Sequence, residues 1–139
     1  MPIPDWSEEL ETGMPELDRE HLQVAHLLGE IAMNLGTHPE RLPELVETMI
    51  GRLQDHFHHE EDLMQASRFF AYPLHRAEHL RILEELAGNL ALVAEGRLET
   101  PRHYFLEVLP LWFVEHLQTI DKVTAQCLQE PRPNSSGGS

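Results

Sequence analysis

An antiparallel up-down-up-down four-helix bundle, all α, with an N-terminal arm, is the fold class this sequence predicts. Three observations carry it. Apolar residues recur at steps of three and four along four segments, no stretch alternates with period two, and the connections between segments are short enough to make consecutive helices antiparallel neighbours. A chain of 139 residues is one ordinary domain, large enough to bury a core without disulfides or a structural metal.

Residues 1 to 16 read as an arm packed on the bundle. They carry Pro2, Pro4, Gly13 and Pro15, which resist regular structure, and Trp6 is large enough to pin the arm down. The first helix is expected from about Glu16 to Leu35, on Leu17, Val24, Leu28, Ile31 and Leu35, with Gly36 as a stop. The second runs from about Pro39 to Ser67, on Leu42, Val46, Met49, Leu53 and Leu63; Pro39 and Pro43 are tolerable near its first turn. The third spans about Pro73 to Glu95, on Ile82, Leu86, Leu90 and Val93, and Gly96 ends it. The fourth takes Thr100 as N-cap and Pro101 as first residue, then Phe105, Leu109, Trp112, Ile120 and Val123. Pro110 removes a backbone donor inside it and is expected to kink it. The bundle proper is read as 17 to 130. Residues 131 to 139, Pro-Arg-Pro-Asn-Ser-Ser-Gly-Gly-Ser, have nothing to bury and read as a flexible tail.

Ten Lys and Arg against 24 Asp and Glu give a net charge of −14 with histidine neutral. Such a surface repels phosphate backbones and anionic lipid, which argues against nucleic acid or a membrane as partner. The acidic first ten residues lack a basic start and an apolar run, and no stretch approaches the roughly 20 apolar residues of a membrane span, so a cytoplasmic location is expected. The lone Cys127 can build neither an internal disulfide nor an iron–sulfur cluster and reads as a small core residue.

Each apolar stripe is interrupted by chemistry. His21 falls in the first helix, His56 and Glu60 in the second, His75 and His79 in the third, His116 and Asp121 in the fourth. An unpaired polar group in a core costs about 2 to 7 kcal/mol, so seven of them need a shared partner, and a metal is the simplest one. His75 and His79, like His56 and Glu60, are four apart, about 40° around a helix, and can reach one ion from a single face. His116 and Asp121 are five apart, about 140°, so Asp121 needs local widening of the helix or a long reach. With alternate helices antiparallel, all four groups fall at one end of the bundle. Five imidazoles and two carboxylates exceed one tetrahedral zinc site and suit iron, manganese or zinc, and a carboxylate can bridge two ions where an imidazole cannot. Ferritin-like di-iron enzymes use paired Glu-x-x-His motifs, and this chain has none.

Several ordered motifs resemble the hemerythrin family, and more closely its single-domain bacteriohemerythrins, over about residues 6 to 122. They are Trp6 with Thr12-Gly13 and Asp18-x-x-His21; His56-Phe57-x-x-Glu60-Glu61-x-x-Met64; His75-x-x-x-His79; and Trp112-x-x-x-His116-x-x-x-x-Asp121-Lys122. The resemblance implies an oxo- or hydroxo-bridged non-haem di-iron centre that binds dioxygen reversibly. By it, His75, His79 and His116 would saturate one iron, His21 and His56 would hold the other, and Glu60 and Asp121 would bridge both, leaving the second iron one position short. Trp112, Phe113 and Leu117 would line the dioxygen pocket. Phe113 stands where the family commonly has leucine, and Tyr72-Pro73 lies closer to His75 than is usual, which points to an altered second-to-third helix turn. Asp18 reads as a helix N-terminal charge rather than a partner of His21. His26, His38, His58, His59 and His103 match no ligand position and read as surface or rim residues.

Three functions share such a site. A carrier or store of dioxygen is favoured, because the chain reads as one bare domain with no output module. An oxygen or redox sensor is the alternative, passing its signal to a protein partner. A di-iron redox enzyme acting on dioxygen, peroxide or nitric oxide is disfavoured, since no acid, base or substrate pocket is evident beyond the ligands.

Overall fold

Proline opens the first helix and two helical distortions shape the last. In a computed structural model that describes residues 15–67 and 72–117, four helical segments pack as a bundle. Trp6, Ile120, Asp121, Val123, Cys127, the expected tail and all of the arm before Pro15 lie outside the described residues.

Helix α1 spans Pro15–Thr37. Its fixed proline φ suits a first helical position, where the missing N–H has no partner to lose. Gly36 does not stop it: the helix continues to Thr37, whose hydroxyl donates back to the Met33 carbonyl at 2.9 Å. A single 3₁₀ turn, Pro39–Arg41, then leads into α2, Leu42–Ser67. The expected second helix therefore starts three residues late as α-helix, because Pro39 heads a tighter turn closed by the Leu42 N–H on its carbonyl.

Helix α3 is Tyr72–Ala94. Gly96 ends it as expected, at φ 76°, with the Arg97 N–H on the Leu92 carbonyl at 2.9 Å and the Gly96 N–H on Val93 at 3.1 Å. This doubly closed end needs a left-handed residue, which glycine supplies without steric cost.

The fourth segment begins at Glu99 rather than Pro101. Helix α4, Glu99–His103, has Leu98 in the cap position, and Thr100 lies inside it without capping. A π turn, Tyr104–Val108, follows, and then α5, Leu109–Glu115. The Leu109 N–H reaches the Tyr104 carbonyl, five residues back. In regular α geometry the Pro110 ring would meet the Leu106 carbonyl, and widening the turn ahead of it removes that clash. Pro110 is thus accommodated by a wide turn within a helix that has already begun.

The helices alternate in direction. His21 near the start of α1 meets His56 late in α2, while an Arg102 Nη2–H of α4 donates to the Leu35 carbonyl near the end of α1 at 3.3 Å. The end of the bundle near the helix connections 37–42 and 94–99 is hydrocarbon, with Leu28, Ile31, Leu42, Val46, Leu86 and Phe105 fully buried. Full burial of such side chains contributes about 1.5–3 kcal/mol each, so this half holds the fold without help from a metal. Two stripe positions shift from expectation. Leu63 and Leu90 are half-buried, and Met64 and Asn89 take the interior places. Asn89 stays inside by donating its amide to the Glu85 carbonyl of its own helix at 2.9 Å. No helix among the described residues is long and apolar enough to cross a membrane.

Candidate metal centre

Away from the hydrocarbon end, the same stripes turn polar. His21 of α1, His56 and Glu60 of α2, His75 and His79 of α3, and His116 just past α5 are all at least 95% buried. The i,i+4 pairs on α2 and α3 put two groups on one inward face each, as their spacing requires.

Glu60 is the hub. Its Oε1 lies 3.0 Å from His75 Nε2 and 3.1 Å from His79 Nε2. Its Oε2 lies 3.2 Å from His56 Nε2 and 3.7 Å from His21 Nε2, and those two imidazole nitrogens are 2.9 Å apart. Two metal-competent groups result, His21 with His56 and Glu60, and Glu60 with His75, His79 and His116, each with ligand atoms within 4.8 Å of one another. Glu60 belongs to both, offering a different oxygen to each side. Burial pushes its carboxyl toward neutrality, yet the charge of His56 and hydrogen bonds from His21, His56 and His75 win and hold it well below the usual carboxylate range.

The outer nitrogens decide the chemistry of the inner ones. His56 Nδ1 is 2.7 Å from Glu20 Oε1, and His79 Nδ1 is 2.8 Å from Glu61 Oε2. A carboxylate can only accept, so each Nδ1 donates outward and each ring is held with its Nε2 facing inward. Those Nε2 atoms converge on the two oxygens of the Glu60 carboxylate. His79 Nε2 is buried with no hydrogen-bond partner among the described residues, 3.1 Å from Glu60 Oε1, a position that a cation would satisfy. The donor set therefore fits metal ions, nitrogen on the flanks and a two-oxygen carboxylate in the middle.

Rings wall the cluster. Phe57 stacks on His79 with centroids 3.8 Å apart and planes 2° from parallel, and Trp112 stacks on His116 at 4.5 Å and 20°. Phe113 meets His21 edge-on at 6.2 Å, and Leu117 is fully buried in the adjoining core.

The structure thus gathers six of the seven residues singled out in the sequence. The seventh, Asp121, lies outside the described residues. His26, His38, His58 and His103 are exposed; His59 sits at the rim, its Nδ1 3.2 Å from Glu20 Oε2. Sequence reasoning gave no role to Glu20, Glu61 and Glu78. Each directly neighbours a cluster residue, so it points about 100° away and meets an adjacent helix, a signal readable from the sequence.

No protein-family model matches the sequence. Individual relatives do. The chain is 27% identical to a bacteriohemerythrin of Ralstonia nicotianae over 135 residues, 97% of this chain and 96% of the relative. It is 31% identical to a bacteriohemerythrin of Aquifex aeolicus over 115 residues, 81% of this chain and 87% of the relative. A myohemerythrin of Sipunculus nudus is 29% identical over 123 residues, 86% of this chain and 92% of the relative. A crystal structure of a hemerythrin leucine-to-tyrosine mutant shares the fold, with a TM-score of 0.84 at 21% identity, covering 94% of this chain and all of that one. With its buried His/Glu cluster typical of a di-iron site, and with these relatives, the chain belongs to the hemerythrin family.

Proposed function

We propose that the cluster holds two iron ions and binds dioxygen reversibly, making the protein a carrier or store of oxygen. The observation that carries this reading is the division of Glu60 between two groups of imidazoles. His75, His79 and His116 would take one ion and His21 and His56 the other, with Glu60 and Asp121 spanning both; the unit is the bundle of residues 17–130. The relatives named hemerythrins support iron over manganese or zinc. An iron pair held there would supply the electrons that reversible dioxygen binding needs.

The chain's own residues do the rest. Glu20 and Glu61 keep the His56 and His79 rings oriented with Nε2 toward the cluster. Phe57, Trp112, Phe113 and Leu117 exclude water, so that bound oxygen meets no stray proton and leaves as it came. Binding rather than turnover is supported by the two carboxylates nearest the ligands, which are both engaged by imidazole N–H groups instead of standing open to a substrate.

Visible spectroscopy of the reduced, iron-loaded protein tests this. A charge-transfer band that appears in air and disappears on deoxygenation is expected over repeated cycles. Absence of the band sinks oxygen binding, and rapid one-way conversion to a diferric form would sink the carrier role.

A further inference from the structure

Trp112 is the outermost ring of the cluster's wall. Phe57, Phe113, His79 and His116 are buried, whereas Trp112 is half-buried, stacked on His116 and in edge-to-face contact with Phe57, with ring centroids 6.4 Å apart. One hydrogen bond fixes the indole's polar edge: its N–H donates to Glu78 Oε1 of α3 at 2.7 Å, across 34 residues of chain. The carboxylate is itself clamped. Arg81 donates to Glu78 Oε1 from Nη2 at 2.9 Å and to Oε2 from Nε at 3.3 Å, and its Nη1 donates to Glu85 Oε2 at 2.7 Å.

An indole held otherwise by ring contacts and apolar packing can rock about its χ angles, and the ring it stacks on would rock with it. A charge-assisted hydrogen bond to an ionised acceptor stops that motion more firmly than packing alone. The anchor lies outside the donor set, on the residue just before His79, and nothing in metal binding itself requires it.

We propose that Glu78 is a positioning residue for the metal centre: by anchoring the Trp112 indole it fixes the plane of His116 and closes the His116 side of the cluster to water and small solutes. Its effect on bound metal rests on the reading of the cluster as an iron site; its effect on the indole does not.

The test uses the full chain carrying Trp6→Phe, so that Trp112 alone among the two tryptophans emits. In the metal-free protein, acrylamide quenching of Trp112 is compared among the parent, Glu78→Leu, Glu78→Gln and Glu84→Leu. After iron loading, release of iron to a chelator is timed for the same four. Glu78→Leu is expected to raise quenching and speed iron release about tenfold, the factor that matches loss of one charge-assisted hydrogen bond. Glu78→Gln keeps an accepting oxygen and should restore both readouts toward the parent, and Glu84→Leu, exposed on the same helix, should move neither. Quenching unchanged in Glu78→Leu, or glutamine behaving as leucine does, overturns the proposal. The quenching pattern in a protein that takes up no iron would sink the metal reading and leave the anchor standing.

Discussion

Glu61 accepts from the Nδ1 of His79 at 2.8 Å, and the opposite nitrogen of that ring faces Glu60 at 3.1 Å. One acid thereby orients a candidate ligand that a second acid meets from the other side. Removing such an outer partner typically weakens metal affinity by about 10- to 100-fold. Glu61→Leu is expected to lower iron affinity within that range, with Glu61→Gln intermediate because its oxygen still accepts but carries no charge. Competition against a chelator measures it; unchanged affinity in Glu61→Leu would show that packing alone orients His79.

The ligand set can be separated from bystanders. His79→Ala and Glu60→Ala are each expected to abolish stoichiometric iron binding, while exposed His58→Ala binds as the parent does. Elemental analysis of the purified proteins decides this. Equal iron in all three would refute the site.

Phe113 stands edge-on to His21, on the side assigned to the ion with the open position. Phe113→Leu, the residue common in the family, opens space there at a stability cost below about 1.5 kcal/mol, since the exchange is apolar for apolar. Faster dioxygen release and faster oxidation to the diferric form are expected in stopped-flow and spectral decay measurements. Identical rates would place the oxygen route elsewhere.

At the far side of α3, burial and then the Glu85 carboxylate push the Tyr104 phenol above its ordinary value of 10.0. In the fold the proton stays on at pH values where the unfolded chain has lost it, so Tyr104 favours the unfolded state increasingly as pH climbs past about 10. Its contribution is whole below that pH. Tyr104→Phe should flatten the alkaline fall in Tm between about pH 9 and 11 relative to the parent. Parallel curves would assign the fall to other groups.

The stripes of α1 and α3 were legible because steps of three and four land on a single face, and the histidines that interrupt them are polar where the period demands apolar. That is why His21, His75 and His79 could be read together with the bundle itself. The boundaries were less legible. Gly36 and Thr100 each carry a signal that neighbouring geometry overrides, the first by a helix that runs on to Thr37, the second by a helix that starts at Glu99. Glu20, Glu61 and Glu78 were legible only as direct neighbours of cluster residues; which helix each one meets is a tertiary fact. Pro110 announced a distortion, but whether a helix bends or widens is settled by what its downstream face must meet.

The π turn at Tyr104–Val108 acts as a change of reading frame within the helix. Every residue of an α-helix advances the chain by about 100°, so one residue absorbed in a wider turn shifts the phase of all that follows. Deleting any single residue between Glu99 and Leu109 would remove the residue that the wide turn absorbs, and a regular α turn would set the Pro110 ring against the carbonyl four residues before it. The inward set of the helix would be wrong. His116 would rotate away from Glu60 with Phe113 and Leu117 beside it, and the pocket would be lost to a change that touches none of its residues.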